Sequence, residues 1–271
     1  MSAEAIRVGV RRPARGLFVH QLRSEQLVFW RSREAAFFIF LFPLLLFVLL
    51  SSVYDGKIYG VPAPEALLAG LIGYGCANTA FAGLAIQLVI RRESGILKRL
   101  RATPLPPATY IASLLVSTLI VFALQTVALF LLGRALNGTP FPSDVASLIA
   151  AVVIGAAVFA ALGTALASVI HSAEGSSAVV NAILLPMAFL SGSFGSTLHY
   201  PAFLRAIGDV LPLKYFINLV NAVYLHGHGI WTRPEDLAVL AAWGVAGLVF
   251  TIFKFRWEPR ERSRLGVRGT G

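Results

Sequence analysis

The sequence predicts an all-α membrane protein with six transmembrane helices. Three observations carry that prediction: six long uncharged apolar runs, basic residues gathered on one side of them, and aromatic residues at their ends. Only 13% of the 271 residues are charged and 57% are hydrophobic, whereas a soluble domain carries about 25% charged residues. The net charge of +10 would suggest nucleic acid in a soluble chain. Here its placement points to the lipid bilayer as partner, and not to nucleic acid. The single cysteine, Cys76, excludes disulfides and cysteine-based metal clusters and reads as a small buried hydrophobe.

The apolar runs occupy 35–54, 66–90, 109–132, 145–170, 176–194 and 235–253. Each is near the roughly 20 residues that a helix needs to cross the hydrocarbon. None holds Asp, Glu, Lys or Arg, apart from Glu235 and Asp236 at the start of the last. Lipid cannot satisfy backbone polar groups, so the runs read as helices; barrel strands would alternate polar with apolar residues. The chain divides into a cytoplasmic N-terminus (1–34), a six-span domain (35–253) and a cytoplasmic basic tail (254–271).

Basic residues set the direction. Seven arginines precede the first run: Arg7, Arg11, Arg12, Arg15, Arg23, Arg31 and Arg33. Arg91, Arg92, Lys98, Arg99 and Arg101 lie between the second and third runs. Lys254, Arg256, Arg260, Arg262, Arg264 and Arg268 follow the sixth. These are 18 of the 23 basic residues, and the positive-inside rule places them in the cytoplasm with both termini. Trp30, Tyr110 and Trp257 fall at inner span ends; Tyr54, Tyr59, Tyr200 and Trp231 fall on the outer side, as interfacial aromatics prefer. The N-terminus is too long, polar and Arg-rich for a cleaved signal peptide, and the first span reads as an uncleaved anchor.

Three segments are more than simple spans or turns. Residues 16–34 set Phe18, Leu22, Phe29 and Trp30 roughly on one helical face among basic positions. That fits an interfacial helix, either with a mechanical role or as an ordinary juxtamembrane helix. Residues 91–107, RRESGILKRLRATPLPP, place Ile96, Leu97 and Leu100 as an apolar strip in a cationic helix, ended by Pro104, Pro106 and Pro107. This is a shape for docking a partner, or else a membrane-surface loop. Residues 211–225, LPLKYFINLVNAVYL, are apolar on a wide face but too short to span. With breaks at Gly192, Gly195, Pro201, Gly208 and Pro212, the stretch 195–234 reads as a membrane-embedded lid or portal, or as an external loop resting on the bilayer.

Polar residues within the spans are few: Asn78, Gln87, Gln125 and Asn181. The absence of ionisable groups there argues against a proton-coupled pump or ion channel and suits a bulky, amphipathic or lipid-like substrate. Gly155, Ala156, Ala160, Gly163, Thr164 and Ala167 in the fourth span allow close helix contact. There is no G-x-x-x-x-G-K-[ST] loop, H-E-x-x-H, paired-cysteine or G-x-S-x-G motif, so the chain itself is not expected to be an enzyme or to bind a cofactor. His226 and His228, in HGHG, read as an outer polar loop in preference to a metal site. No internal repeat favours a stand-alone secondary transporter.

The pattern resembles the membrane subunits (permeases) of type-2 ABC exporters, which include drug-resistance, polysaccharide and lipid exporters. Three stretches carry the match: QLRSEQLVFWRSREAAFFIFLFPLLLFVL at 21–49, RRESGILKRLRATPLPPATYIASLL at 91–115, and LPLKYFINLVNAV at 211–223. The second is the most specific, and its TPLP-type loop is similar to the drug-exporter branch. The resemblance implies a coupling helix at 91–103 inserted into a separate ATP-binding subunit. Leu97 and Leu100 would supply its apolar contact, and Arg92, Glu93, Lys98, Arg99 and Arg101 its charged rim. It implies external re-entrant helices between spans five and six, and two ATP-binding subunits holding ATP and Mg. The permease itself would be a homodimer or a heterodimer with a paralogue, in a bacterial inner membrane. The pathway would run mainly along spans one, two and five, with Asn78, Phe81, Gln87 and Asn181 as candidate lining. Hydrophobic or amphipathic cargo (drug, natural product or lipid-like) is expected. The alternatives are a polysaccharide or lipid-linked glycan moved by the same machinery, and a stand-alone transporter.

Overall fold

The structure, a computed structural model, describes residues 14–103 and 105–254. Arg7, Arg11, Arg12, Pro104 and the tail with Arg256, Trp257, Arg260, Arg262, Arg264 and Arg268 lie outside the described residues, as do the side chains of Arg15 and Arg101. Besides a single 3₁₀ turn at Ile230–Thr232, ten helices follow in order among the described residues. They are α1 (Ala14–Arg31), α2 (Arg33–Val53), α3 (Ala63–Glu93), α4 (Ile96–Arg101), α5 (Pro107–Asn137), α6 (Val145–Val169), α7 (Ala173–Leu190), α8 (Ala202–Gly208), α9 (Pro212–Leu225) and α10 (Pro234–Lys254). Six of them (α2, α3, α5, α6, α7 and α10) are long and apolar enough to cross a membrane, so the chain is an all-α multi-pass membrane protein. The sequence does not announce the small antiparallel hairpin between α2 and α3, β1 (Lys57–Ile58) and β2 (Val61–Pro62). Tyr59 and Gly60 make its turn with positive φ at both positions, the geometry that twists a two-residue hairpin correctly.

Helix ends follow local chemistry. Ser32 separates α1 from α2, its Oγ accepting from Ala35 N. Pro62 is extended and α3 begins behind it, with Pro64 in its first turn, where a missing N–H costs nothing. Asp144 caps α6, accepting from Ser147 N at 2.9 Å and from Ser147 Oγ at 2.6 Å. Helix α7 stops at Leu190, short of the expected 194, because the chain turns at Gly192 with φ +84.

Helix α3 is the axis of the bundle and is almost wholly buried. Helices α2, α5, α6, α7 and α9 pack around it, α10 packs on α6, and α1 lies along α5. Small residues set the closest approaches. A Cβ on Gly163 of α6 would lie 2.6 Å from the Phe81 carbonyl oxygen of α3, and one on Gly155 would lie 2.3 Å from the Phe216 ring of α9. Small residues are how membrane helices come close enough to gain dispersion contact. Helices α8 and α9 are bent 79° from each other, broken where Gly208 and Pro212 predict. The apolar face of α9 (Leu213, Phe216, Val220, Val223) is buried against α3, α6 and α10.

Two spans depart from regular winding: Ala36–Leu41 of α2 and Ala77–Gly83 of α3 are π-helical. Such segments leave carbonyls without ordinary partners, and polar side chains occupy them. Asn78 Nδ2 donates to Phe38 O at 2.8 Å, and Gln125 Nε2 donates to Ile39 O at 2.8 Å.

Candidate functional site

The arginine-rich end of the bundle is built around one reversal. Helix α3 runs to Glu93, Gly95 adopts φ +73, and α4 begins at Ile96. A left-handed residue at that point suits glycine because it lacks the Cβ that would clash. Extended Pro106 then leads into Pro107, the first residue of α5.

Three consecutive residues at the end of α3 hold four other elements, α1, α5, α6 and α7. Arg91 pairs in bidentate fashion with Glu25 of α1, Nη1 to Oε1 at 2.9 Å and Nη2 to Oε2 at 2.6 Å, and Nη1 also donates to Tyr110 OH at 2.7 Å. The pair is nearly dry, with side-chain exposures of 11% and 4%. Arg92 is buried and donates to Ala167 O at 2.8 Å and to Ile170 O. It satisfies carbonyls left over at the end of α6, where the helix dipole favours a cation. Glu93 accepts from Ala173 N at the start of α7, the end that favours an anion.

Helix α1 joins the same assembly. Gln26 Nε2 donates to Ser117 Oγ at 2.8 Å and to Ser117 O at 3.0 Å, and Gln21 Nε2 donates to Glu25 Oε1 at 2.7 Å. The inward stripe of α1 is Phe18, Gln21, Leu22, Glu25, Gln26 and Phe29, while Trp30 lies at its exposed edge. An apolar-stripe reading places Phe18, Leu22 and Phe29 but misses the polar groups between them, because their partners come from distant segments.

The residues singled out at 92–101 therefore divide. Lys98, Arg99 and Ile96 are exposed and Leu100 is half-buried, so these four form the outward surface of α4. Leu97 is fully buried in a groove of about 360 Å³ lined by Leu88, Tyr110, Ala161, Thr164 and Ile252. Arg92 is turned inward as described, Glu93 is exposed while bonded to α7, and the side chain of Arg101 lies outside the described residues. The four candidate pathway residues are not brought together. Asn78 and Phe81 are buried between helices, and Asn181 is exposed on α7. Gln87 lines a half-open cavity of about 370 Å³ between α1, α2, α3 and α5, with Ile96 of α4 at its edge and Arg91 and Glu25 among its polar groups. A second cleft of about 400 Å³ opens between α2, α3 and α7 and is lined by Phe42, Tyr74, Leu185, Phe189 and Phe194.

Residues 17–225 match the family model described as ABC-2 type transporter. The chain is also similar to the "Inner membrane transport permease YhhJ" of Escherichia coli (strain K12) and of Shigella flexneri, 24% identical in each case over 175 residues. That stretch is 63% of this chain and 46% of the relative, so the match spans about half the length of those proteins.

Proposed function

This chain belongs to the ABC-2 type transporter family, and from that premise we propose that it is the permease subunit of an exporter driven by a separate ATP-binding subunit. The observation that carries the reading is the linkage at 91–100. A short cationic helix offers Ile96, Lys98, Arg99 and Leu100 outward, while the residues just before it grip α1, α6 and α7. A push on α4 reaches the fifth span through Glu93, the fourth through Arg92 and the interfacial helix through Arg91.

In this reading α4 seats in a cleft of the ATP-binding subunit, which holds ATP and Mg. Two such subunits serve a permease pair, made either of two copies of this chain or of this chain and a paralogue. The arginine-rich end and both termini are cytoplasmic, supported by the distribution of Arg and Lys, and the membrane is a bacterial inner one, supported by the relatives' name. Cargo is hydrophobic or amphipathic. The aromatic cleft between α2, α3 and α7 supports this, with the Phe194 ring in tilted, edge-on contact with Tyr74 (centroids 5.1 Å apart) and Phe189 (4.8 Å).

The test is copurification of the tagged chain with its ATP-binding partner, followed by measurement of amphiphile-stimulated ATP hydrolysis. Leu100→Asp and Arg99→Glu are expected to abolish stimulation or to release the partner. Full stimulated hydrolysis in both variants would overturn the coupling assignment.

A further inference from the structure

At the end of the bundle opposite α4 lies a cavity of about 340 Å³, walled by the β1–β2 turn, the turn after α7, helix α9 and Arg233. It falls at the lower end of the volumes that hold small ligands. Its polar groups are placed by the fold. Lys214, Asn218 and Asn221 recur at four- and three-residue spacing and line the cavity from α9, beside the apolar Ile217, Ala222 and Leu225. Ser191 contributes from the turn after α7.

Two of these groups lack partners. Ser191 is 5% exposed and its Oγ makes no hydrogen bond, and the buried Oδ1 of Asn221 makes none either. A buried polar atom without a partner costs about 1–3 kcal/mol, so both call for a ligand or water with hydroxyl or amide groups. The cations add a second requirement. Arg233 has Glu235 and Asp236 at 3.8 and 3.9 Å, beyond hydrogen-bond distance, and Lys214 pairs with Asp209. None of those carboxylates is among the groups that line the cavity. The inner wall thus presents a guanidinium, an ammonium and His226 together with neutral donors and acceptors.

We infer that this cavity binds a phosphate-bearing, hydroxylated group. Arg233 and Lys214 take the phosphate, and Ser191 and Asn221 take the hydroxyls. A glycerol phosphate unit has this chemistry, whether free in solution or as the headgroup of phosphatidylglycerol. Guanidinium suits phosphate because its planar fork donates two parallel hydrogen bonds. The site is separate from the coupling assignment, since binding is measured on this chain without nucleotide.

The experiment is titration calorimetry of the purified full chain with glycerol 3-phosphate, alongside native mass spectrometry after reconstitution with phosphatidylglycerol or phosphatidylcholine. Retention of phosphatidylglycerol over phosphatidylcholine, with or without binding of the soluble ester, is the expected result. Binding of the ester alone identifies a solute site with the same chemistry. In either case Arg233→Gln, at an exposed position, weakens binding by roughly tenfold or more, and Ser191→Ala weakens it less. Absence of binding in both arms, or binding unchanged in both variants, overturns the proposal.

Discussion

Arg91, Arg92 and Glu93 show how much one short sequence stretch can organise. A charge buried with its partner is stable only while the partner stays, because the desolvation cost is already incurred. Glu25→Ala therefore strands Arg91, and a loss of about 3–5 kcal/mol follows, read as a lower unfolding temperature of the detergent-solubilised protein. Removing the pair together as Glu25→Leu with Arg91→Met recovers most of that loss; no recovery would show that the pair is not the dominant interaction there. Gln125 is a second such residue. Gln125→Leu leaves the Ile39 carbonyl of the π-helical turn without its donor, at a cost of about 1–3 kcal/mol, visible in the same melting assay. The sequence flagged Gln125 and Asn78 as rare polar residues within spans. It could not show that their partners are backbone carbonyls, because a π turn leaves no composition signal. Arg92 and Leu97 were legible as a cation and an apolar residue of the loop, but their inward direction depends on where α6 and α10 end.

At the scale of elements, α4 depends on Gly95. Gly95→Val forces a β-branched residue into left-handed geometry at a cost of about 1–2 kcal/mol. The expected result is weaker capture of the ATP-binding partner with little change in the bundle's melting; unchanged capture would mean that α4 tolerates another entry angle. The start of α6 has a pH signature. Hydrogen bonds from Ser147 hold the Asp144 carboxyl below its ordinary value of 3.8. A lowered folded value means that its contribution is present above the ordinary carboxylate range and is lost as pH falls through the lowered value. Asp144→Asn should flatten the acid limb of the stability profile, and an unchanged profile would show that the cap contributes nothing measurable. Proline and glycine mark several helix ends: Pro107 begins α5, Gly208 ends α8 and Pro212 begins α9. The β1–β2 hairpin was not legible, because two-residue strands carry no periodicity.

Across the whole molecule, the opposed placement of β1 and α4 gives a topology test. Lys57 and Lys98 are both exposed, at opposite ends of the bundle, and the sole cysteine, Cys76, is buried. A membrane-impermeant maleimide should label Lys57→Cys in intact cells, label Lys98→Cys only after permeabilisation, and leave the parent chain unmodified. Lys98→Cys labelled in intact cells would reverse the proposed orientation. Span count was legible because each span contains a long apolar run almost free of charge, but the ranking of spans by burial was not. Helix α3, with α7, is the least apolar of the six and yet the most enclosed; hydropathy measures fitness for lipid, and α3 meets hardly any. That enclosure bears on biogenesis. A ribosome that has released α3 has not yet made α5, the turn after α7 or α9, so the glycines at 70, 73 and 75 have no neighbours to pack on. Until those neighbours arrive the nascent helix needs shelter in the insertion machinery. Chains truncated soon after Glu93 should be cleared by membrane proteases faster than chains ending after α9.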